Sequence, residues 1–372
     1  MINRLFSLFS HDVGIDLGTA NTLVWVRNKG IVIREPSVIA MHKKTKKIIA
    51  IGTEAKRMVG KTPASVVTVK PLKGGVISDF DATEAMLSYY IKQVHELGSF
   101  IPSGWARPRV VVGIPSSVTE VERRAVWEAT LSSGAREAFL IEEPMAAAIG
   151  EDISVSSPTG IMVVDIGGGT TEIAVISLGG VVVGRSLRVA GYDMDQAILH
   201  YMRLRHGLLL GERTAEELKT SIGSAYETKS KVPAKRDLAP RDKSQTSKLL
   251  KEGERMAIVR GRDIETGLPR SIRVSESEVR EALTPVVTQI IAEIADVLEE
   301  TPPELLSDIL EHGILLTGGG ALLLGLDKII VEQTHIPVFV SDDPLTSVVR
   351  GTGKVLGNNE LLARVKVIGG LR

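Results

Sequence analysis

VGIDLGTANTLVWV (residues 13–26) and IMVVDIGGGTTEIAVISL (residues 161–178) carry the same punctuation: an apolar strand ending in Asp, a turn of Gly and Thr, and a second apolar strand. Asp16 and Asp165 fall at matching points of the two copies, which predicts duplicated halves. A chain of 372 residues also exceeds the roughly 250 to 300 residues at which single cores stop growing, so two domains are expected. Outward from the hairpins, apolar periodicity predicts helices over 82–96, 120–132, 193–206, 214–222 and 277–300. The helix over 214–222 has Thr214 and Glu217 at capping-box spacing. Strands are expected over 109–114, ending at Pro115, and over 313–316, before a Gly-rich turn at 317–321. The mixture is an α/β fold.

Composition narrows the function. Hydrophobic residues make up 43% of the chain, and 45 basic residues balance 45 acidic ones. Zero net charge gives no global field to gather nucleic acid, and it favours self-association. Without cysteine, disulfides and Cys-ligated zinc are excluded, as befits a reducing compartment. No apolar run reaches the roughly 18 to 20 residues of a membrane-spanning helix. Residues 1–10, MINRLFSLFS, place Ile2, Leu5, Phe6, Leu8 and Phe9 mainly on one helical side opposite Arg4, the pattern of an interfacial anchor; a frayed terminus or a strand packed on the core is the alternative. Residues 227–255 hold nine Lys/Arg against five Asp/Glu, with Pro233 and Pro240, and read as an exposed excursion.

The hairpins also suggest chemistry. A phosphate chain needs closely approachable backbone NH groups, which Gly provides, and short donors such as Thr. Gly18, Thr19, Ala20 and Asn21 follow Asp16, and Gly167, Gly168, Gly169, Thr170 and Thr171 follow Asp165. Two such turns can clamp phosphates from opposite sides. The Asp residues, repelled by phosphate, suit the shell of a hydrated Mg²⁺. Other phosphate motifs fail: a GxxxxGK[ST] loop ending at Gly60, Lys61 and Thr62 would need Gly where Ala55 stands, and no GxGxxG follows a strand. In LIEEPMAAAIG (140–150), Glu142 and Glu143 precede Pro144; either one could orient a water, although the residue types alone favour helix capping. His200 and His206 lack the spacing of a helical metal pair.

IDLGTANT, IEEPMAAAIG, VVDIGGGTTE, GERTAE, TPPEL and LTGGGALL occur here in an order and spacing that resembles the MreB family of bacterial actin homologues, over residues 12–356. The resemblance implies an actin-like fold, with two ribonuclease-H-like halves around a nucleotide cleft. The first half would span 11–150 with a small subdomain near 35–69, and the second 151–340 with a small subdomain near 192–270. Residues 1–10 would form a membrane anchor, and 341–372 would return to the first half. ATP and Mg²⁺ are the implied ligands. Thr19, Ala20, Asn21, Gly167, Gly168 and Gly169 would hold phosphates, with Asp16 and Asp165 ordering Mg²⁺ through water. Glu216, Glu217, Leu218 and Lys219 would meet ribose and adenine, and Gly318, Gly319, Gly320 and Ala321 the base side. Glu143, aided by Thr170, would position the hydrolytic water. The family also implies slow hydrolysis that times filament assembly, a cytoplasmic location on the inner face of the membrane, and contact with cell-wall elongation proteins. Leu5, Phe6, Leu8 and Phe9, together with Phe100, Ile101 and Trp105, would touch the lipid.

Two features depart from the family pattern: the length of 227–255, and AGYDMD (190–195), where Tyr192 replaces a usual acid. A chaperone ATPase would need a peptide-binding region after the halves. A sugar kinase would need a sugar-binding constellation with an Asp base, and none is recognisable.

Overall fold

The computed structural model describes residues 11–96, 107–227 and 254–367. Val13–Leu17 and Asn21–Val26 form an antiparallel hairpin, and Gly30–Pro36 extends it. On the other side, Arg109–Ile114 and then Glu137–Glu142 add in parallel. The second sheet repeats this order: Ile161–Ile166 and Thr171–Ser177 form the hairpin, Gly180–Leu187 extends it, and Ile314–Thr317 and Val338–Val340 add in parallel. Asp165 pairs with Glu172 at the position where Asp16 pairs with Leu23. The repeated punctuation is therefore a repeated topology. Val110, Val111, Val112, Val163, Val164 and Leu316 are wholly buried, as parallel strands covered on both faces require.

Helix starts follow local chemistry. Glu120–Ser132 opens with Thr119 accepting from Glu122 N at 3.2 Å while the Glu122 carboxylate accepts from Thr119 N at 2.8 Å. Glu276–Glu300 opens the same way with Ser275 and Glu278. The capping box expected at Thr214 and Glu217 does not form. The helix there is Glu212–Ile222, entered from Gly211 in extended conformation, so Thr214 already lies inside it, with its N donating to Gly211 O at 3.0 Å. Glu217 pairs with Arg213 instead. The helix expected over 193–206 is Gly191–His206, and the expected turn at 317–321 divides into the end of strand Ile314–Thr317 and a short 3₁₀ helix, Gly319–Leu322.

One hydrophobic core fills each half. A third joins the two sheets through Val111, Ile141, Val163, Ala174 and Val355. The helix Ser347–Gly357 brings the end of the chain back across Glu143–Gly150. Their backbones lie so close that a Cβ at Gly150 would overlap Ser347 O and one at Gly351 would overlap Ala146 O. Val367 N then donates to Leu140 O at 2.8 Å.

Two smaller sheets flank the space between the halves. One is Ile48–Ile51, Ile39–His42 and Val66–Val69, with the helix Thr53–Met58; the other is Leu208–Leu209, Met256–Asp263 and Pro269–Ser275. Lys56–Glu216 at 2.8 Å and Lys70–Glu212 at 3.2 Å connect the two sides. These pairs are partly exposed, so each contributes at most about 1 kcal/mol. Leu5, Phe6, Leu8, Phe9, Phe100, Ile101, Trp105 and most of 227–255 lie outside the described residues. No helix among the described residues is long and apolar enough to cross a membrane.

Candidate functional site

The two Gly/Thr turns face each other across a cavity of about 480 Å³, lined by Asp16, Thr19, Ala20, Asn21, Glu143 and Gly75 from the first half. The second half supplies Asp165, Gly167, Gly168, Gly169 and Thr170, along with Glu216, Lys219 and Gly318 to Gly320. The turns nearly touch: a Cβ at Gly168 would run into Ala20, and one at Gly169 into Thr19. Each turn is braced. Gly167 N donates to Thr170 O at 2.8 Å, Tyr192 N to Gly168 O at 2.8 Å, and Gly75 N to Thr19 Oγ1 at 3.0 Å. Gly318 adopts φ 80°, and a Cβ there would strike the Asp165 carboxylate and the carbonyl of Ile166, so this position is confined to glycine.

The carboxyls of Asp16, Glu143 and Asp165 line the cavity, and Glu172 lies behind them, acting on Glu143 and Asp165. Burial pushes Asp16 up to about 7. Burial, and then repulsion from Asp16 and Glu172, pushes Asp165 up to about 8. Glu143 is raised well above the usual carboxylate range by burial and then by Glu172, Asp16 and Asp165. Glu172 is raised by burial despite hydrogen bonds from Ser186 Oγ at 2.5 Å, Ser116 N at 2.9 Å and Thr170. The two cations on the cavity wall are engaged elsewhere, Lys219 with Asp195 and Gly191 O, and Arg255 with Glu276. Carboxyls massed with no free cation among the described residues are suited to a divalent ion. Among the described residues, no group of three or more His, Cys, Asp or Glu is arranged to ligate one directly. The donor set therefore fits a Mg²⁺ that keeps its waters and phosphate oxygens as ligands.

The structure separates Glu142 from Glu143, which the residue types alone do not. Glu142 ends its strand near Arg123 and caps nothing with its side chain, whereas Glu143 lines the cavity. Most of the expected residues converge, and three do not. On the helix Glu212–Ile222, Glu216, Lys219 and Thr220 face the cavity. Glu217 is exposed on Arg213, and Leu218 is buried with Ala215 and Ile222 in the core, because helical periodicity turns neighbouring positions about 100° apart. Ala321 likewise packs into the core, and Leu322, 60% exposed, takes its place on the wall. Glu172 and Tyr192 were not anticipated. The signal for Glu172 was an acid in a wholly buried strand, TEIAVIS.

A family model described as MreB/Mbl protein matches residues 10–364. The chain belongs to this family. It is 49% identical over 360 residues to the cell shape-determining protein MreB of Escherichia coli (strain K12), covering 96% of each chain. Its fold matches the crystal structure of MreB5 of Spiroplasma citri bound to ADP, with a TM-score of 0.83 and 35% identity over 95% of this chain and 97% of that one. The AMPPNP-bound form of MreB5 matches with a TM-score of 0.82 and 35% identity over 94% and 98%. The MamK double helical filament shares the fold alone, with a TM-score of 0.74 and 21% identity over 94% and 99%. The fold of this MreB/Mbl chain is therefore actin-like, as the motifs implied.

Proposed function

We propose that the chain binds Mg²⁺·ATP between its two turns, hydrolyses it slowly, and polymerises into filaments on the inner face of the cell membrane, where they organise wall elongation and direct rod shape. The observation that carries this reading is the pair of equivalent strand-end carboxyls, Asp16 and Asp165, facing one cavity whose walls are the two Gly/Thr turns. Nucleotide-bound MreB5 and the cell-shape role of the E. coli relative support it.

Backbone NH groups of Thr19 to Asn21 and Gly167 to Gly169 would hold the phosphates. Glu216 would accept from the ribose, and Leu322 and Leu345 offer apolar surface to the base beside Gly318 to Gly320. Bound Mg²⁺ would supply positive charge that offsets the β- and γ-phosphates. Glu143 would accept a hydrogen bond from water and, with Thr170, aim it at the γ-phosphorus. Glu172 would register closure, because its contact with Ser116 N joins the second half to the first. Closure then links nucleotide state to the fit between subunits.

The raised carboxyls fix the pH dependence. Binding Mg²⁺ needs Asp16 and Asp165 ionised, so affinity for Mg²⁺·ATP should rise from about pH 6 to about pH 8, with proton release. The ligand-free protein should show the opposite trend. Its folded state holds protons that the unfolded chain has lost, so its stability should fall as pH rises from about 4 towards about 8. Calorimetric titration in buffers of different ionisation enthalpy reads the first effect and thermal melts the second. Affinity that is flat or falls with pH would refute the metal role of the pair.

Membrane contact is a separate element. Deleting residues 1–10 and replacing Phe100, Ile101 and Trp105 with Ser is expected to abolish co-sedimentation with anionic liposomes without lowering ATP affinity. Unchanged liposome binding would remove these residues from the account.

A further inference from the structure

A second cavity, of about 330 Å³, adjoins the nucleotide cleft and shares Thr19, Ala20, Gly169, Tyr192, Asp195 and Glu216 with it. Its walls come from both halves and, among the described residues, carry seven Lys and Arg side chains against four acids. The acids are all committed: Glu216 to Lys56, Glu212 to Lys70, Asp195 to Lys219, and Asp193 to Ala190 N. Three of the remaining cations pair with carboxylates outside the cavity, Arg57 with Glu54, Arg213 with Glu217 and Arg188 with Glu122. That leaves Lys61 and Lys73, whose ammonium groups have no partner among the described residues. Tyr192 forms the partition. Its hydroxyl reaches Thr19 O at 3.4 Å and its ring lies 4.1 Å below Lys70 Nζ.

We propose that this vestibule is a second phosphate-binding site, separate from the nucleotide, in which Lys61 and Lys73 hold inorganic phosphate. Orthophosphate is the anion that fits: the vestibule opens onto the turns where the nucleotide's phosphates would sit, and two free ammonium groups match a dianion. The inference rests on the nucleotide reading of the larger cleft. A dianion held here would join Lys61 and Lys73 of the first half to the Arg188 side of the second, favouring closure.

The test is orthophosphate binding to the full chain saturated with AMPPNP, whose γ-phosphoryl fills the cleft's own phosphate positions. The intact chain should still bind orthophosphate. Lys61→Ala with Lys73→Ala should bind it roughly tenfold or more weakly, a loss of about 1.4 kcal/mol or more. AMPPNP affinity should be the same for both chains, which checks folding. Orthophosphate that binds only when AMPPNP is absent, or that binds regardless of the two lysines, would overturn the proposal. If the intact chain fails to bind AMPPNP, the nucleotide reading fails separately. The lysine dependence of orthophosphate binding to the nucleotide-free chain then decides the vestibule by itself.

Discussion

Glu143→Ala is expected to lower ATP hydrolysis by about a hundredfold to a thousandfold while leaving Mg²⁺·ATP affinity within a few fold. Glu143 lines the cavity at the start of the helix Glu143–Gly150, and its carboxyl is crowded by Glu172, Asp16 and Asp165. A group so placed can orient a water without being needed to hold phosphate, so its loss should appear in turnover and not in binding. The crowding gives a second readout. Removing Glu143, a buried carboxyl raised by burial and by Glu172, Asp16 and Asp165, relieves an unfavourable burial, so the melting temperature of the ligand-free variant should not fall. Loss of turnover with a lowered melting temperature would indicate structural damage instead. Single-turnover hydrolysis, paired with a fluorescent-nucleotide titration, separates the two cases. Hydrolysis at the normal rate in the variant would remove Glu143 from the mechanism.

Gly351→Val is expected to destabilise the fold by about 3 kcal/mol, in the range of severe overpacking, and to abolish hydrolysis. A Cβ at this position would overlap Ala146 O, a backbone atom that no rotamer change can move aside. The helices Ser347–Gly357 and Glu143–Gly150 would have to separate, and the second of them carries Glu143. Gly357→Ala provides the internal control. It lies on the same helix with nothing within 4 Å, so its effect should stay within about 1 kcal/mol. Urea unfolding of both variants measures the contrast, and equal effects would show that the helix crossing is not under the close constraint described here.

The parts of this molecule that could be read from its sequence are those where one residue type has one physical use. Asp16 and Asp165, each ending an apolar strand before a Gly/Thr turn, marked both hairpins, and the two sheets carry them at equivalent registers. The strand Arg109–Ile114 and the helix Glu120–Ser132 were legible to the residue, the strand because Pro115 terminates it and the helix from its apolar periodicity. Where one local pattern serves two purposes, the sequence was ambiguous. Glu142 and Glu143 are indistinguishable until the strand Glu137–Glu142 and the following helix turn them to different surroundings. Thr214 and Glu217 have capping-box spacing, yet Gly211 lets the helix begin earlier. Leu218 and Glu217 adjoin true cavity residues in sequence and not in space. Glu172 depends on contacts with Ser116 and Ser186 that only the assembled fold brings together.

Nucleotide-timed assembly on the membrane can be read by high-speed pelleting with liposomes. The intact chain and Glu143→Ala would be compared with ATP, ADP or no nucleotide. Pelleting should depend on ATP, with filaments of the variant persisting after those of the intact chain have dispersed. Pelleting indifferent to the nucleotide, or a chain that stays monomeric throughout while transferring phosphate to a small acceptor, would contradict it.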